Sequence, residues 1–113
     1  MNQIILDCKV QKDVKLFDEV PNFNVSSITG QYTLADNTKK NRFTYIRVLY
    51  PHEVTDRVVD VLQPNSMIRI YGRLDSEQYP TANKKIVYNK LICADKIVRV
   101  RWNADIQDYV EVI

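Results

Sequence analysis

Histidine, cysteine and glycine are scarce in this chain, and each scarcity closes a route to chemistry. Its 113 residues include one histidine, His52, so no serine–histidine–acid set can be assembled, and His52 reads as a surface or capping residue. The cysteines, Cys8 and Cys93, lie far apart in sequence, and with a single histidine they do not make a tetrahedral zinc site. Gly30 and Gly72 are the only glycines, which leaves no glycine-rich loop to cradle a phosphate. Asp56 and Asp60 stand one helical turn apart with no further acid pinned beside them, and they read as a solvated face. No segment approaches the roughly 20 apolar residues needed to cross a bilayer. The opening MNQIILDCKV has an apolar run far shorter than a signal core and meets charge at once. The expectation is a cytoplasmic protein that is not an enzyme and has no cofactor, metal or membrane partner.

Net charge is also small, at +2, so a polyanionic partner would have to be met by a local arrangement of cations. An apolar fraction of 45% with 27% charged residues is that of a folded chain, and this length suits one domain with one modest core. Cys8 and Cys93 fall in strand-like segments and read as buried free thiols. A disulfide between them would require their strands to be neighbours.

Alternation over residues 4–10 predicts a strand. Residues 11–24 are polar and irregular, and fit either a bent continuation of that strand or a loop, with a turn at Pro21-Asn22. Residues 25–35 read as a strand with a bulge or close approach near Gly30. Residues 36–42 read as a polar hairpin loop carrying Lys39, Lys40 and Arg42. Phe43 to Tyr50 is the clearest strand, rich in branched and aromatic residues, and Pro51 ends it. Val54, Val58 and Leu62 then recur every four residues, which predicts an amphipathic helix over 52–62, closed by a turn at Pro64-Asn65. Met67 to Leu74 returns to strand, with Gly72 near its end. Residues 75–85 read as a second polar loop with Tyr79 near its tip and Lys84 and Lys85 at its exit. Residues 86–100 form a long strand-like run, bent near Ala94-Asp95. Three strands, a short helix and two strands predict an all-β fold: a five-stranded OB-type barrel whose helix, between strands 3 and 4, plugs one end. The barrel domain is expected over 1–101. Residues 102–113 hold Trp102, Ile106, Tyr109 and Val112, too apolar for a free tail, and are expected to pack on the domain or on a partner subunit.

Two of these strands mix arginine with tyrosine. Phe43, Tyr45, Arg47 and Leu49 share one face of the first; Thr44, Ile46, Val48 and Tyr50 share the other, more apolar face. In the second, Arg69, Tyr71 and Arg73 share a face opposite Ile68 and Ile70. Two arginines flanking a tyrosine make a poor core pattern and a good solvent- or ligand-facing stripe. Cations that hold phosphates beside flat rings that accept bases are the chemistry of single-stranded nucleic-acid binding. Arg47, Arg69 and Arg73 are the candidate phosphate contacts, and Tyr45, Tyr50, Tyr71 and Tyr79 the candidate stacking rings. Lys39, Lys40, Arg42, Lys84, Lys85 and Tyr88 are candidates on the flanking loops. Each also has a plainer reading, as a solvated cation or a packing ring.

These residues carry a resemblance. The segment FTYIRVLYPHEVTDRVVDVLQPNSMIRIYGRLDSEQY resembles the centre of bacterial and phage single-stranded DNA-binding proteins: an aromatic-rich strand, a short helix, then a hydrophobic strand ending in Gly-Arg-Leu, here Gly72, Arg73 and Leu74. The stretches IILDCKVQKD and KIVYNKLICADKIVRV resemble the family's first and last strands. The resemblance covers most of residues 3–100 and is sharpest over Val61 to Leu74. The primosomal replication protein of the same fold is similar to nearly the same degree. The resemblance implies an OB fold, homo-oligomeric assembly and sequence-independent binding of single-stranded DNA. It puts the first strand's aromatic and basic positions at Thr44, Ile46 and Tyr50, with Phe43 and Tyr45 out of phase by one residue, and it matches Tyr71 and Tyr79. The chain departs from the pattern at Pro64-Asn65, where the family has a basic-glycine turn. It also ends in DYVEVI, where the cellular proteins carry a flexible linker and an acidic, proline-containing tip that recruits partners. A phage or mobile-element form working in the host cytoplasm, a primosome-like accessory protein and a shortened chain all fit that ending.

The expected function is non-catalytic binding and protection of single-stranded DNA during replication or recombination, by a homodimer or homotetramer, with replication or recombination proteins as further partners. A protein-interaction or primosome accessory module, or an RNA-binding module, are the alternatives, because tyrosine and arginine also favour protein interfaces and stacking does not distinguish the two polymers.

Overall fold

The computed structural model describes residues 2–112; Met1 and Ile113, the outer ends of the expected domain and of its C-terminal segment, lie outside the described residues. The elements run β1 (Ile4–Lys15), β2 (Asn22–Thr33), β3 (Lys39–Leu49), α1 (Asp56–Val61), β4 (Met67–Pro80), β5 (Ile86–Asn103) and β6 (Asp108–Glu111).

Strand β1 bends and serves two neighbours. Its first half pairs antiparallel with β4, from Ile4 opposite Gly72 to Lys9 opposite Met67. Its second half pairs with β2, with a register shift between Val10 and Val14. Residues 11–15 are therefore the bent continuation that the sequence left open. Strands β2 and β3 form a long hairpin, and β3 closes the barrel by pairing parallel with β5, Arg47 opposite Leu91 and Leu49 opposite Cys93. The result is the five-stranded OB barrel.

Inward-facing residues alternate along each strand as a half-buried sheet requires. Cys8, Val10, Phe23, Val25, Val48, Ile68, Ile70 and Ile92 are buried in one cluster. The helix is shorter than the sequence pattern predicts. The Thr55 hydroxyl accepts a hydrogen bond from the Val58 N–H at 3.3 Å, which fixes the N-terminus one residue before Asp56. His52 precedes that cap and belongs to no helix. Val61 and Leu62 are buried beneath the barrel end, and Val58 packs beside them.

Strands β4 and β5 continue far past the barrel as a second hairpin, paired from Gly72–Ala94 out to Pro80–Ile86. Most of residues 29–45 and 73–90 are exposed, so the two hairpins stand out as arms. The Cα radius of gyration of 16.1 Å reflects them, since a compact chain of this length would have about 13 Å. The polar stretches expected to be loops are thus largely strand: Lys39, Lys40 and Arg42 lie on β3, and Tyr79 on β4. The sequence read them as loops because both faces of an arm meet water, so no apolar alternation marks them.

The barrel turns a corner at Gly72. Tyr71 pairs with Lys96 and Gly72 with Ala94, which leaves Asp95 as the extra residue of a bulge. A Cβ on Gly72 would lie 2.3 Å from the Cys93 carbonyl oxygen and 3.1 Å from the Ala94 Cα. At Gly30, where β2 shifts register against β3, an added Cβ would meet nothing within 4 Å.

The chain's last strand, β6, folds back on the end of β5, Val100 opposite Glu111 and Trp102 opposite Tyr109. The turn between them holds Gln107 at φ 54°. No helix among the described residues is long and apolar enough to cross a membrane.

Candidate nucleic-acid interface

The phase of β3 decides which of its rings faces out. Val48 is fully buried and Ile46 and Tyr50 pack against the core, so the even-numbered face turns inward. Phe43, Tyr45 and Arg47 form the outer stripe, with Tyr45 70% exposed. The positions marked by the resemblance, Thr44, Ile46 and Tyr50, thus belong to the inward phase, and the exposed aromatics sit one residue away from them. Tyr50 lies off the stripe, edge-on to His52 with ring centroids 5.2 Å apart.

A second exposed ring joins this stripe from the β4–β5 arm. Glu77 and Tyr79 share a face there with Asn89, whose Nδ2 donates to the Tyr79 hydroxyl at 2.7 Å. The Arg47 guanidinium reaches across from β3 and donates to both Glu77 carboxylate oxygens, at 2.7 and 2.9 Å. Tyr45, Arg47, Glu77 and Tyr79 therefore share one outer face, which runs from Tyr45 on β3 across the Arg47–Glu77 pair to Tyr79 near the tip of the β4–β5 arm. Above it the β2–β3 arm carries Lys39, Lys40 and Arg42 against Asp36 alone, and Lys84 and Lys85 sit at the tip of the other arm. Lys84 holds φ 60° in that turn. Tyr88 points to the opposite face of the arm, with Leu74 and Ile86.

The Arg69–Tyr71–Arg73 stripe is on the outer surface too, but two of its members are engaged. Register sets Asp7 opposite Arg69. Arg69 Nε donates to Asp7 Oδ1 at 2.7 Å and its Nη2 to Asp7 Oδ2 at 3.1 Å, a two-point pairing. Nη2 also donates to the Tyr109 carbonyl at 3.1 Å. The hydrogen bond to Asp7 holds the guanidinium further above its ordinary pKa, and Arg69 acts as a clamp between β1, β4 and β6. The Tyr71 hydroxyl donates to Glu111 Oε1 at 2.5 Å, and Lys96 Nζ lies 5.4 Å from its ring centroid. Arg73 is exposed, with a single long contact of 3.9 Å to Cys93 Sγ. Of the three residues, Arg73 is the one left open to a phosphate.

The bond to Glu111 raises the Tyr71 pKa above its ordinary value. A raised native pKa gives stability that is fully present below the unfolded value, near 10, and is lost as pH rises through the native one. Wild type is therefore expected to lose more stability than Tyr71→Phe as pH rises above about 10. Denaturant melts across that window check it, and parallel curves would show that the bond does not hold β6.

Cys8 and Cys93 are both free and buried. Burial, with the Asp7 carboxylate alongside, pushes the Cys8 thiol up to about 12, so it is a protonated core group at neutral pH. Among the described residues no three His, Cys, Asp or Glu side chains are grouped so as to hold a metal ion. Three exposed side chains on this surface escaped the sequence reading as sites. Ile28, Tyr32 and Trp102 are all about half exposed. Their segments read as strand or tail, and only the register shows which face they occupy.

No protein-family model matches the sequence, and no curated protein matches it. Solved structures do match its fold. The Plasmodium falciparum SSB in complex with ssDNA superposes with a TM-score of 0.66 at 16% identity, covering 100% of this chain and 96% of that one. A small single-stranded DNA-binding protein from Streptomyces coelicolor gives 0.61 at 12% identity over 86% of this chain and 92% of that one. A deletion mutant of the Thermus aquaticus single-stranded DNA binding protein gives 0.61 at 17% identity, over 89% of this chain and 51% of that one. At these identities the likeness establishes the shared OB fold.

Proposed function

We propose that this chain binds single-stranded DNA without chemistry and largely without regard to sequence, protecting unpaired DNA in the cytoplasm during replication or recombination. The observation that carries the reading is one outer face: exposed Tyr45 beside Arg47 on β3, joined through Glu77 to the arm that bears exposed Tyr79, with lysine and arginine along both arms. Flat rings accept any base and cations accept any phosphate, so such a face suits a single strand of any sequence. Three single-stranded DNA-binding proteins share the fold, one of them in complex with ssDNA.

In this reading Tyr45 and Tyr79 stack on bases, Arg47 and Arg73 hold phosphates, and Lys39, Lys40, Arg42, Lys84 and Lys85 steer the strand. Arg69 and Tyr71 act through β6, which they hold in place. Tyr88, Leu74 and Ile86 lie on the opposite face and give the β4–β5 arm an apolar side suited to a second copy of the chain, in keeping with a homo-oligomer.

Glu77 makes the reading testable in an uncommon direction. Its carboxylate occupies the guanidinium that a phosphate would take, and the pair is half exposed, so its exchange costs little. Glu77→Gln is expected to tighten binding of oligo-dT and to steepen the dependence of log K on log salt by about 0.7, the share of one phosphate contact. Fluorescence anisotropy over a salt series measures both. Unchanged affinity and slope would remove Arg47 from the phosphate contacts. Arg73→Ala should move the slope the other way by the same amount.

A further inference from the structure

We propose a second base-stacking site, in the groove between the β2–β3 arm and the β5–β6 hairpin, with Trp102 as its platform. The proposal rests on the single-strand reading and extends it to residues beyond the Tyr45–Arg47–Tyr79 face. The groove holds about 340 Å³, at the small end of the roughly 300–1,000 Å³ range for small-molecule sites. Phe43 and Ile28 form one wall, Trp102 and Tyr109 the other, and Met67 and Lys9 line it between them. Its lining is predominantly apolar, yet Phe43 and Trp102 are each 52% exposed and Ile28 57%. Large rings left half in water around one groove mark a surface that is to be covered.

The Trp102 ring is already fixed. It meets Tyr109 across the β5–β6 ladder in an edge-to-face pair, with centroids 5.1 Å apart and planes at 74°. Tyr109 is held in turn through its carbonyl, which accepts from Arg69. A ring clamped in this way stacks with little loss of rotamer freedom. That gives the Asp7–Arg69–β6 network a purpose that Arg69 would not have as a free phosphate contact. The same pairing neutralises Asp7, one of two carboxylates that line the groove; the other, Asp108, accepts from the Tyr109 N–H at 2.7 Å.

Continuity decides the occupant. Phe43 belongs both to this groove and to the β3 stripe, two residues from Tyr45 on the same face. A strand lying on Tyr45 and crossing β2 toward β1 would bring its next bases onto Phe43 and then between the groove walls. Lys9, exposed on β1, stands where the adjoining phosphate would pass. The geometry therefore extends the interface from the β3 stripe, across the outer face of β2 and β1, to the C-terminal hairpin.

The test uses the whole chain and a dT oligomer of about 16 nucleotides, the upper end of the site size of one OB fold. Trp102 is the only tryptophan, so its fluorescence reports on the surroundings of this one ring. Quenching of Trp102 by the oligomer is expected, together with a loss of affinity on Trp102→Ala of about 5- to 100-fold and a largely retained affinity in Trp102→Phe. A single abasic position walked along the oligomer should weaken binding to wild type at the groove position and have no effect there on Trp102→Ala. The abasic walk on wild type keeps the test decisive if the alanine variant does not fold. Binding by wild type without quenching, and with equal affinity in the variants, would overturn the groove site and leave the single-strand reading intact. Absence of any binding by wild type would overturn both. A loss of affinity accompanied by a lower sedimentation coefficient would show that the groove seats a second copy of the chain, which also overturns the proposal.

Discussion

Gly72→Ala is expected to destabilise the fold by about 3 kcal/mol, the upper end of the usual cost of overpacking. The reason is local and specific. The new Cβ would lie 2.3 Å from the Cys93 carbonyl oxygen, and that oxygen belongs to the backbone of β5, which cannot rotate away as a side chain can. Moving it opens the β4–β5 ladder at the bulge where Asp95 is squeezed out, directly beside the buried Ile92 and Ala94. In a chain this size the loss corresponds to a fall in melting temperature of about 10–20 °C. Gly30→Ala is the internal control. Its Cβ would enter open space, so replacing glycine there should leave the melting temperature unchanged or slightly higher. Equal melting temperatures for wild type and Gly72→Ala would show that the corner is not as tight as described.

Tyr45→Ala combined with Tyr79→Ala should remove the stacking half of the interface. Each stacked base contributes about 1–3 kcal/mol by alanine substitution, so the pair is expected to lower affinity for oligo-dT by roughly 30-fold or more. Both rings are exposed, 70% and 44%, so thermal stability should hardly change. The salt slope should stay as in wild type, because no cation is removed. The combination of a large affinity loss, an unmoved melting temperature and an unmoved slope separates stacking from both misfolding and lost phosphate contacts. Wild-type affinity in the double variant would take these rings out of the interface.

Much of the barrel was legible from alternation. Ile68 and Ile70 against Arg69, Tyr71 and Arg73 gave the inward and outward faces of β4, and the switch to four-residue spacing marked the helix. The lengths of the arms were not legible. Thr29 to Tyr45 and Arg73 to Lys90 meet water on nearly every side, and a strand exposed on both faces has the composition of a loop. The site was legible in residue type and only partly in residue role. That Arg47 and Tyr45 face out follows from Val48 being core, a choice of phase that the sequence left open. That Arg69 serves Asp7 and β6 depends on the register of β1 against β4, which pairs residues 62 positions apart. No local pattern carries that information. The tail's aromatic residues showed that it would be covered or would cover something, but not that Trp102 would stand across a groove from Phe43.

The central claim is that the outer face between the arms binds single strands. The direct measurement is titration of a labelled dT oligomer with the purified chain at low and moderate salt, with duplex DNA as competitor. The account predicts tight binding that weakens with salt by about 0.7 in log K per log salt for each phosphate held, and that duplex fails to displace. No binding at low salt, or displacement by duplex as effective as by single strands, would contradict it.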